Sequence, residues 1–334
     1  MIEAAAHGLP ADPRDDVPRT IVARASPADR IYRGILRAAG ISVLVITAMI
    51  LAFLIIQARS ALAAEGFRLL TTAGVAPGTN DFGVAVLLPD SILIALIALA
   101  IAVPAGFAAA LYISEYAPAA LRQPLIAVVD VLASIPSIVF ALWGLIFLMP
   151  RILGLEGWLG RYLGFIPIFG TGADATPIKL VGSTFIAGAV VSMMVLPIII
   201  SLSRQVFSQA PQGEREAAYA LGSTRWGMVR TVVLPFGRAG MIGASMLGLG
   251  RALGETIAVS FILTLSPVFN PHMLESGGNS ITAEIANFIF VFDKKGQAFL
   301  IAAGLILFAT TLVINTLASI VTNRSRSGAS TQAD

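Results

Sequence analysis

The sequence predicts an all-α integral membrane protein of six transmembrane helices with both termini in the cytoplasm, and three observations predict it. The 334 residues are 57% hydrophobic and only 12% charged, against about 25% charged in an ordinary soluble domain, and the mean hydropathy is +0.86. Six apolar runs are long enough to cross a hydrocarbon core of about 30 Å. Arginine and lysine crowd into alternate loops between those runs, the pattern that holds such loops on the cytoplasmic side. The net charge of +3 and pI near 9.5 are therefore topology signals rather than the footprint of a nucleic-acid partner. The chain has no cysteine, which excludes disulfides and thiolate metal or redox sites.

Each element follows in order. Residues 1–34 set Arg14, Arg19, Arg24, Arg30 and Arg33 among small and polar residues, a composition expected to be a disordered cytoplasmic tail. The transmembrane domain is expected over 35–323. Its first span, Ala38 to Ala58, exceeds the core of a signal peptide, about 7 to 15 residues, and is expected to be retained. Span two runs from Ser91 to Ser114, with Arg122 behind it. Span three, about Pro124 to Pro150, carries Asp130, and its Ser134, Pro136 and Ser137 read as a proline kink whose hydroxyls satisfy freed backbone groups. The Gly-rich segment Arg151 to Lys179 is expected to be irregular or short-helical on the outer side. Span four, Leu180 to Ser203, leads into the long loop 204–238, which holds Arg204, Arg215, Arg225, Arg230 and Arg238. Span five, Ala239 to about Ser266, contains Arg251 and Glu255. Span six, Gln297 to Asn323, precedes a short cytoplasmic tail, 324–334, with Arg324 and Arg326.

The long loop differs in kind from the others. Pro211 suits a first helical turn, Glu214 and Glu216 sit near its positive end, and "EAAYAL" is a strong helix former. Gly222 with Ser223 and Thr224 closes that helix, and "RWGMVRTVV" resumes a helical pattern up to Pro235. Two short helices joined at a glycine are expected along the membrane surface; read blandly, they merely link spans four and five.

The spacing is more specific. Glu216, Ala217 and Ala218, then Gly222 three residues on, then Val232, Leu234 and Pro235 after nine more, resemble the EAA motif of permease subunits in bacterial ABC importers, with Val232 in place of isoleucine. The resemblance extends over about Phe82 to Val321 and is closest to PstC-type phosphate permeases, carried by "ALYISEYAP", "VVDVLASIPSIVFALWGL", "LGLGRALGET" and "AGLILFATTLVINTLASIV". Pro89 and Asp90 depart from it, standing where a small pair is expected. The resemblance implies the type I importer permease fold, with the 214–235 loop docking on an ATPase through Glu216, Ala217, Ala218, Gly222, Arg225, Trp226, Leu234 and Pro235. It also implies a PstA-type permease as heterodimer partner, two ATPase subunits and an extracytoplasmic phosphate-binding protein. No cofactor is expected on this chain, which has no Walker A pattern, so ATP is expected to be hydrolysed by partners. The PstA-type sister, an ABC permease for sulfate, molybdate or another solute, and a secondary transporter or channel stand as alternatives.

Arg251 and Glu255 are the candidate substrate-path residues, with Asp130, Ser134 and Ser137 beside them. A charge at the centre of a membrane helix costs at least about 2.5 to 3.5 kcal/mol. The i, i+4 spacing places both on one face of a continuous helix near the bilayer midplane, where they can neutralise each other. Two readings stand: a structural pair, with Asp130 as a third member, or a face lining the path on which Arg251 meets a phosphate oxyanion bidentately while Glu255 restrains it. Gly248, Gly250 and Gly254 lack the spacing and preceding strand of a dinucleotide fingerprint and read as close-packing residues. With histidine only at His7 and His272, and no H-E-x-x-H, G-x-S-x-G or intramembrane carboxylate pair, an intramembrane enzyme is excluded.

Overall fold

A computed structural model describes residues 26–72, 83–171, 177–266, 268 and 270–326. Fourteen α-helices follow one another among the described residues: α1 (Pro27–Glu65), α2 (Arg68–Thr71), α3 (Leu87–Leu111), α4 (Ala119–Ser134), α5 (Ser137–Trp143), α6 (Met149–Leu163), α7 (Pro177–Leu180), α8 (Thr184–Ser208), α9 (Gln212–Ala220), α10 (Arg225–Met228), α11 (Leu234–Leu253), α12 (Ile257–Ile262), α13 (Ile281–Phe288) and α14 (Lys294–Arg326). No strand forms among them; the one extended pairing is an isolated bridge between Ser183 and Ser276. Six stretches are long and apolar enough to cross a membrane: Pro27–Glu65, Leu87–Tyr116, Ser137–Leu163, Thr184–Ser208, Arg225–Leu253 and Lys294–Leu317. The all-helical, six-span class expected from the sequence is therefore what the chain adopts.

Two compact units divide between Ala52 and Phe53. The described part of the first is the N-terminal portion of α1, which exposes Ile31, Leu44 and Met49 along its length. Such exposure would be costly in water and costs nothing against lipid tails. Helix begins at Pro27, inside the stretch 1–34 expected to be a tail; residues 1–25 and 327–334, where the rest of the tail expectations fall, lie outside the described residues.

The second unit is built around α8, buried along most of its length. Glycines let neighbours approach it. A Cβ on Gly106 of α3 would stand 2.7 Å from Ile199 Cγ2, one on Gly188 2.6 Å from Ile97 Cγ2, and one on Gly248 of α11 2.8 Å from Val195 Cγ1. These are the small-residue contacts by which membrane helices bring backbones together. The main apolar core joins α3, α5, α8, α11 and α12 through residues such as Ala98, Ala141, Val190, Leu253 and Ile262. A second cluster gathers Ala58, Leu69, Leu87, Phe299 and Leu300.

All six stretches differ in their bounds from those expected, and two of the expected spans are interrupted. Span three is not continuous from Pro124 to Pro150: α4 stops at Ser134, Ile135 is extended at ψ 128°, and the crossing stretch is Ser137–Leu163. Pro136 has no N–H to donate and forces the residue before it out of the helical region, so it breaks the helix rather than kinking it. Pro150, expected to end the span, lies inside the continuous stretch directly after a π-helical turn, Gly144–Leu148, and does not end it. The segment after Arg151 is accordingly helical as far as Leu163. Span five is likewise broken: α11 ends at Leu253, α12 holds only Ile257–Ile262, and the chain is non-helical before Ser266.

Candidate functional site

The loop after α8 folds as two short helices, α9 and α10, on either side of Gly222. Leu221 N–H donates to Ala217 O at 3.1 Å, Gly222 N–H to Tyr219 O at 2.9 Å and Ser223 N–H to Ala218 O at 3.1 Å, a Schellman closure that requires a left-handed residue. Gly222 supplies it with φ +81°. Thr224 then caps α10, its hydroxyl accepting from Gly227 N–H at 3.1 Å. A π-helical turn, Val229–Val233, leads into α11, with Pro235 in its first turn.

The motif residues divide by burial. Val232 is half-buried beside the buried Val233, which with Met228 and Val229 joins Phe207 and Ala210 in an apolar cluster under the loop. Glu216, Ala217, Gly222, Arg225, Trp226 and Pro235 are exposed, and Ala218 and Leu234 are half-buried. Glu216 accepts from Gln212 Nε2 at 3.0 Å. The outward face also carries Tyr219, Leu221 at 88% exposure and Trp226 at 56%. An apolar, aromatic patch next to small alanines, on helices fixed from beneath, has the composition of an interface core.

One residue of the loop points the other way. Arg215 forms an ion pair with Glu115 at 2.8 Å, with side-chain exposures of 15% and 4%. Glu115 lies in a π-helical turn, Tyr112–Tyr116, that finishes α3. The neighbouring Tyr116 ring lies 5.3 Å from the Arg225 guanidinium. Sequence reading left Glu115 out of the site. It stands 100 residues from Arg215, and nothing local marks so distant a partner.

The charges of span five occupy the break. Arg251 is in the last turn of α11 and exposed, and among the described residues it forms no ion pair. Glu255 turns instead to the next helix, its Oε1 accepting from Ala258 N–H at 3.2 Å, while its carbonyl accepts from Thr282 Oγ1 at 2.8 Å. The expected mutual neutralisation is therefore replaced. With Gly254 to Thr256 out of helix, the i, i+4 register is lost, and each charge faces the helix end that suits it: the cation a C-terminus, the carboxylate an N-terminus. Nor does Arg251 sit mid-helix, as a continuous span five would place it; it ends one.

The remaining candidates lie at the other break. Asp130 is exposed on α4 and unpaired among the described residues, Ser134 Oγ donates to Val131 O at 2.8 Å, and Ser137 opens α5 half-buried. α5 is joined to α12 through the turn that follows it: a Cβ on Gly144 would stand 3.3 Å from Ile262 Cδ1. The two helix breaks thus flank packed segments, the arrangement in which non-helical backbone is tolerated at membrane depth because it faces protein or a water-filled cavity.

A second polar cluster forms at the opposite end of α3 from the loop. Asn279 N–H donates to Asp90 Oδ2 at 2.8 Å and Asn279 Nδ2 to Glu284 Oε2 at 3.0 Å, while Ser91 Oγ accepts from Ile281 N–H at 3.0 Å. Asp90, which departs from the expected small pair, thus anchors the returning segment before α13. Nearby, Glu156 is fully buried and accepts from the Ser183 hydroxyl. Burial pushes the Glu284 carboxyl from the usual 4.5 up to about 7. No group of histidine or acidic side chains able to hold a metal ion occurs among the described residues.

Comparison with known proteins places these features. Residues 102–327 match the family model described as "Binding-protein-dependent transport system inner membrane component". The chain is 38% identical over 294 residues to the phosphate transport system permease protein PstC 2 of Mycobacterium bovis, covering 87% of this chain and 90% of that one. It is 35% identical over 299 residues to the phosphate transport system permease protein PstC of Xylella fastidiosa, covering 89% and 91%. Its fold is similar to that in the crystal structure of a bacterial ABC transporter involved in the import of the acidic polysaccharide alginate, with a TM-score of 0.52 at 15% identity over 88% of this chain and 99% of that one.

Proposed function

The chain belongs to the family of binding-protein-dependent transport system inner membrane components, and from that membership we propose that it is the permease subunit through which an ATP-driven importer passes inorganic phosphate. It is a multi-pass protein of the bacterial inner membrane, in a family of non-catalytic permease subunits that work with a second permease, an ATPase and a binding protein. In the proposed complex the second permease is of the PstA type, two ATPase subunits dock on the cytoplasmic loop 204–238, and both termini lie on that side. This chain holds no cofactor, and ATP is hydrolysed by its partners.

The observation that carries the reading is the Schellman-joined pair α9 and α10, which keeps the EAA spacing and turns Tyr219, Leu221 and Trp226 outward. The substrate rests on relatives named as phosphate transport permeases. Arg251 is the anion contact on the path: an exposed guanidinium without a carboxylate partner has its fork of donors free for a phosphate oxyanion. Glu255, held at the start of α12, orders the break beside it.

The test is ATP-dependent uptake of radiolabelled phosphate in proteoliposomes holding the full complex. The parent complex is expected to accumulate phosphate and not sulfate or molybdate. Glu216→Lys, a reversed charge on the docking helix, is expected to lower uptake at least about ten-fold together with ATPase recovery in pull-downs. Arg251→Gln is expected to lower uptake with ATPase recovery unchanged. Normal uptake with Arg251→Gln removes Arg251 from the path; unchanged recovery with Glu216→Lys removes the docking role; sulfate uptake in place of phosphate overturns the substrate.

A further inference from the structure

We propose that Arg215 is a positioning residue that transmits coupling: its ion pair with Glu115 is a strut, closed throughout the transport cycle, through which motion of the α9–α10 loop reaches α3 as well as the covalently attached α8 and α11. The proposal rests on reading this loop as the ATPase docking element.

Four observations carry it. The pair is short and almost dry, 2.8 Å with 15% and 4% of the two side chains exposed. A guanidinium and carboxylate buried together resist separation, since opening would leave each charge without its counter-ion. Arg215 also ties down a third element: Nε donates to Ala210 O at 3.1 Å and Nη2 to Phe207 O at 2.6 Å, which satisfies carbonyls at the C-terminal end of α8 and sets a cation at its negative pole. One side chain thereby joins the ends of α3 and α8 to the start of α9.

The loop grips the same turn a second time, since Tyr116, adjacent to Glu115, lies under Arg225 at 5.3 Å. The two arginines flank the stretch from Glu216 to Gly222, Arg215 before it and Arg225 after it. Both therefore hold the end of α3 while Tyr219, Leu221 and Trp226 remain free on the outward face. Further along, Gly106 and Gly188 bring α3 and α8 into contact too close to admit a Cβ without displacement. A push at the loop end is consequently carried along both helices as one body.

The experiment uses the full complex in proteoliposomes and reads phosphate imported per ATP hydrolysed. Glu115→Gln, which keeps shape, and Arg215→Gln, which shortens the side chain, both remove the ion pair and are expected to import at least ten-fold less phosphate per ATP while still co-purifying with the ATPase. Arg215→Lys keeps the charge opposite Glu115 but not the fork that reaches the two carbonyls, and is expected to fall between the parent and Arg215→Gln. A parent-like ratio in either Gln variant overturns the strut, and so does a Lys variant as uncoupled as Arg215→Gln. If the Gln variants do not assemble, the Lys variant decides by the same ratio. A readout that needs no substrate separates this proposal from the phosphate reading. Because the chain has no cysteine, a dye placed on Tyr112→Cys before assembly with cysteine-free partner subunits reports the end of α3, and ATP with vanadate is expected to change its fluorescence in the parent at least several-fold more than in the Arg215→Gln background, where only the α3–α8 contact remains. An equal response in both overturns the strut, even in a complex whose parent imports no phosphate.

Discussion

Asn279 holds two carboxylates at once, Asp90 through its backbone N–H and Glu284 through its side-chain amide, and the consequence is a pH-dependent stability. Glu284 is 2% exposed, and desolvation outweighs the amide hydrogen bond, so its carboxyl titrates near 7 instead of 4.5. A carboxyl with a raised pKa binds its proton more tightly in the folded than in the unfolded chain. The contribution of Glu284 to stability therefore falls as pH rises from about 4.5 to about 7 and levels off above. Thermal unfolding midpoints of the purified protein are expected to drop between pH 5 and pH 8, and the drop is expected to be smaller for Glu284→Gln, which keeps an acceptor for Asn279 without the ionisation. Equal drops in parent and variant would refute this assignment. Arg251 and Glu255 teach the complementary lesson: four residues apart in sequence, they are separated by a helix break and end on different partners, so spacing alone did not define their contact.

At the scale of elements, two glycines of the same loop respond in opposite directions to the same substitution. Gly222 sits at φ +81°, and a Cβ added to it would meet nothing within 4 Å. Gly222→Ala thus meets no clash and incurs only the left-handed backbone cost, about 1 to 2 kcal/mol, and Gly222→Asn is expected to recover part of it. Gly213, inside α9 with equally open space around it, has a helical backbone, and Gly213→Ala is expected to stabilise α9 by up to about 1 kcal/mol. Protease sensitivity at the loop in the purified protein checks both, with Gly222→Ala cut faster and Gly213→Ala slower than the parent. The loop was legible in the sequence because its determinants are local: a helix former, a glycine, a capping threonine and a proline within a couple of dozen residues. The helix breaks were not equally legible. Pro136 announced one and was read as a kink, since the sequence does not say whether neighbouring groups rescue the lost hydrogen bond. Gly254 to Thr256 contains no proline, and the break there depends on tertiary bonds such as Thr282 to the Glu255 carbonyl. The ion pair between Glu115 and Arg215 was invisible for the same reason: it is made by α3 and α9 meeting, not by any pattern along the chain.

For the whole molecule, parity of the spans links the loop to the rest of the proposed mechanism. Leu221 follows four membrane-crossing stretches and Phe165 follows three, so the two lie on opposite sides of the membrane whichever way the chain is inserted. In the proposed orientation, the one the basic residues of the loop favour, Leu221 faces the cytoplasm. Both are highly exposed, at 88% and 80%, and a chain without cysteine lets each be replaced singly as a labelling site. An impermeant maleimide is expected to modify Phe165→Cys in right-side-out vesicles and Leu221→Cys only in inside-out vesicles. Addition of the ATPase subunit is then expected to slow labelling at Leu221→Cys at least about ten-fold and leave Phe165→Cys unaffected, because docking covers the loop face and cannot reach across the bilayer. Labelling of both positions from one side would refute the six-span count itself. Labelling from the expected sides without protection would keep the fold and remove the loop as the docking surface, so a single pair of positions tests insertion and coupling separately.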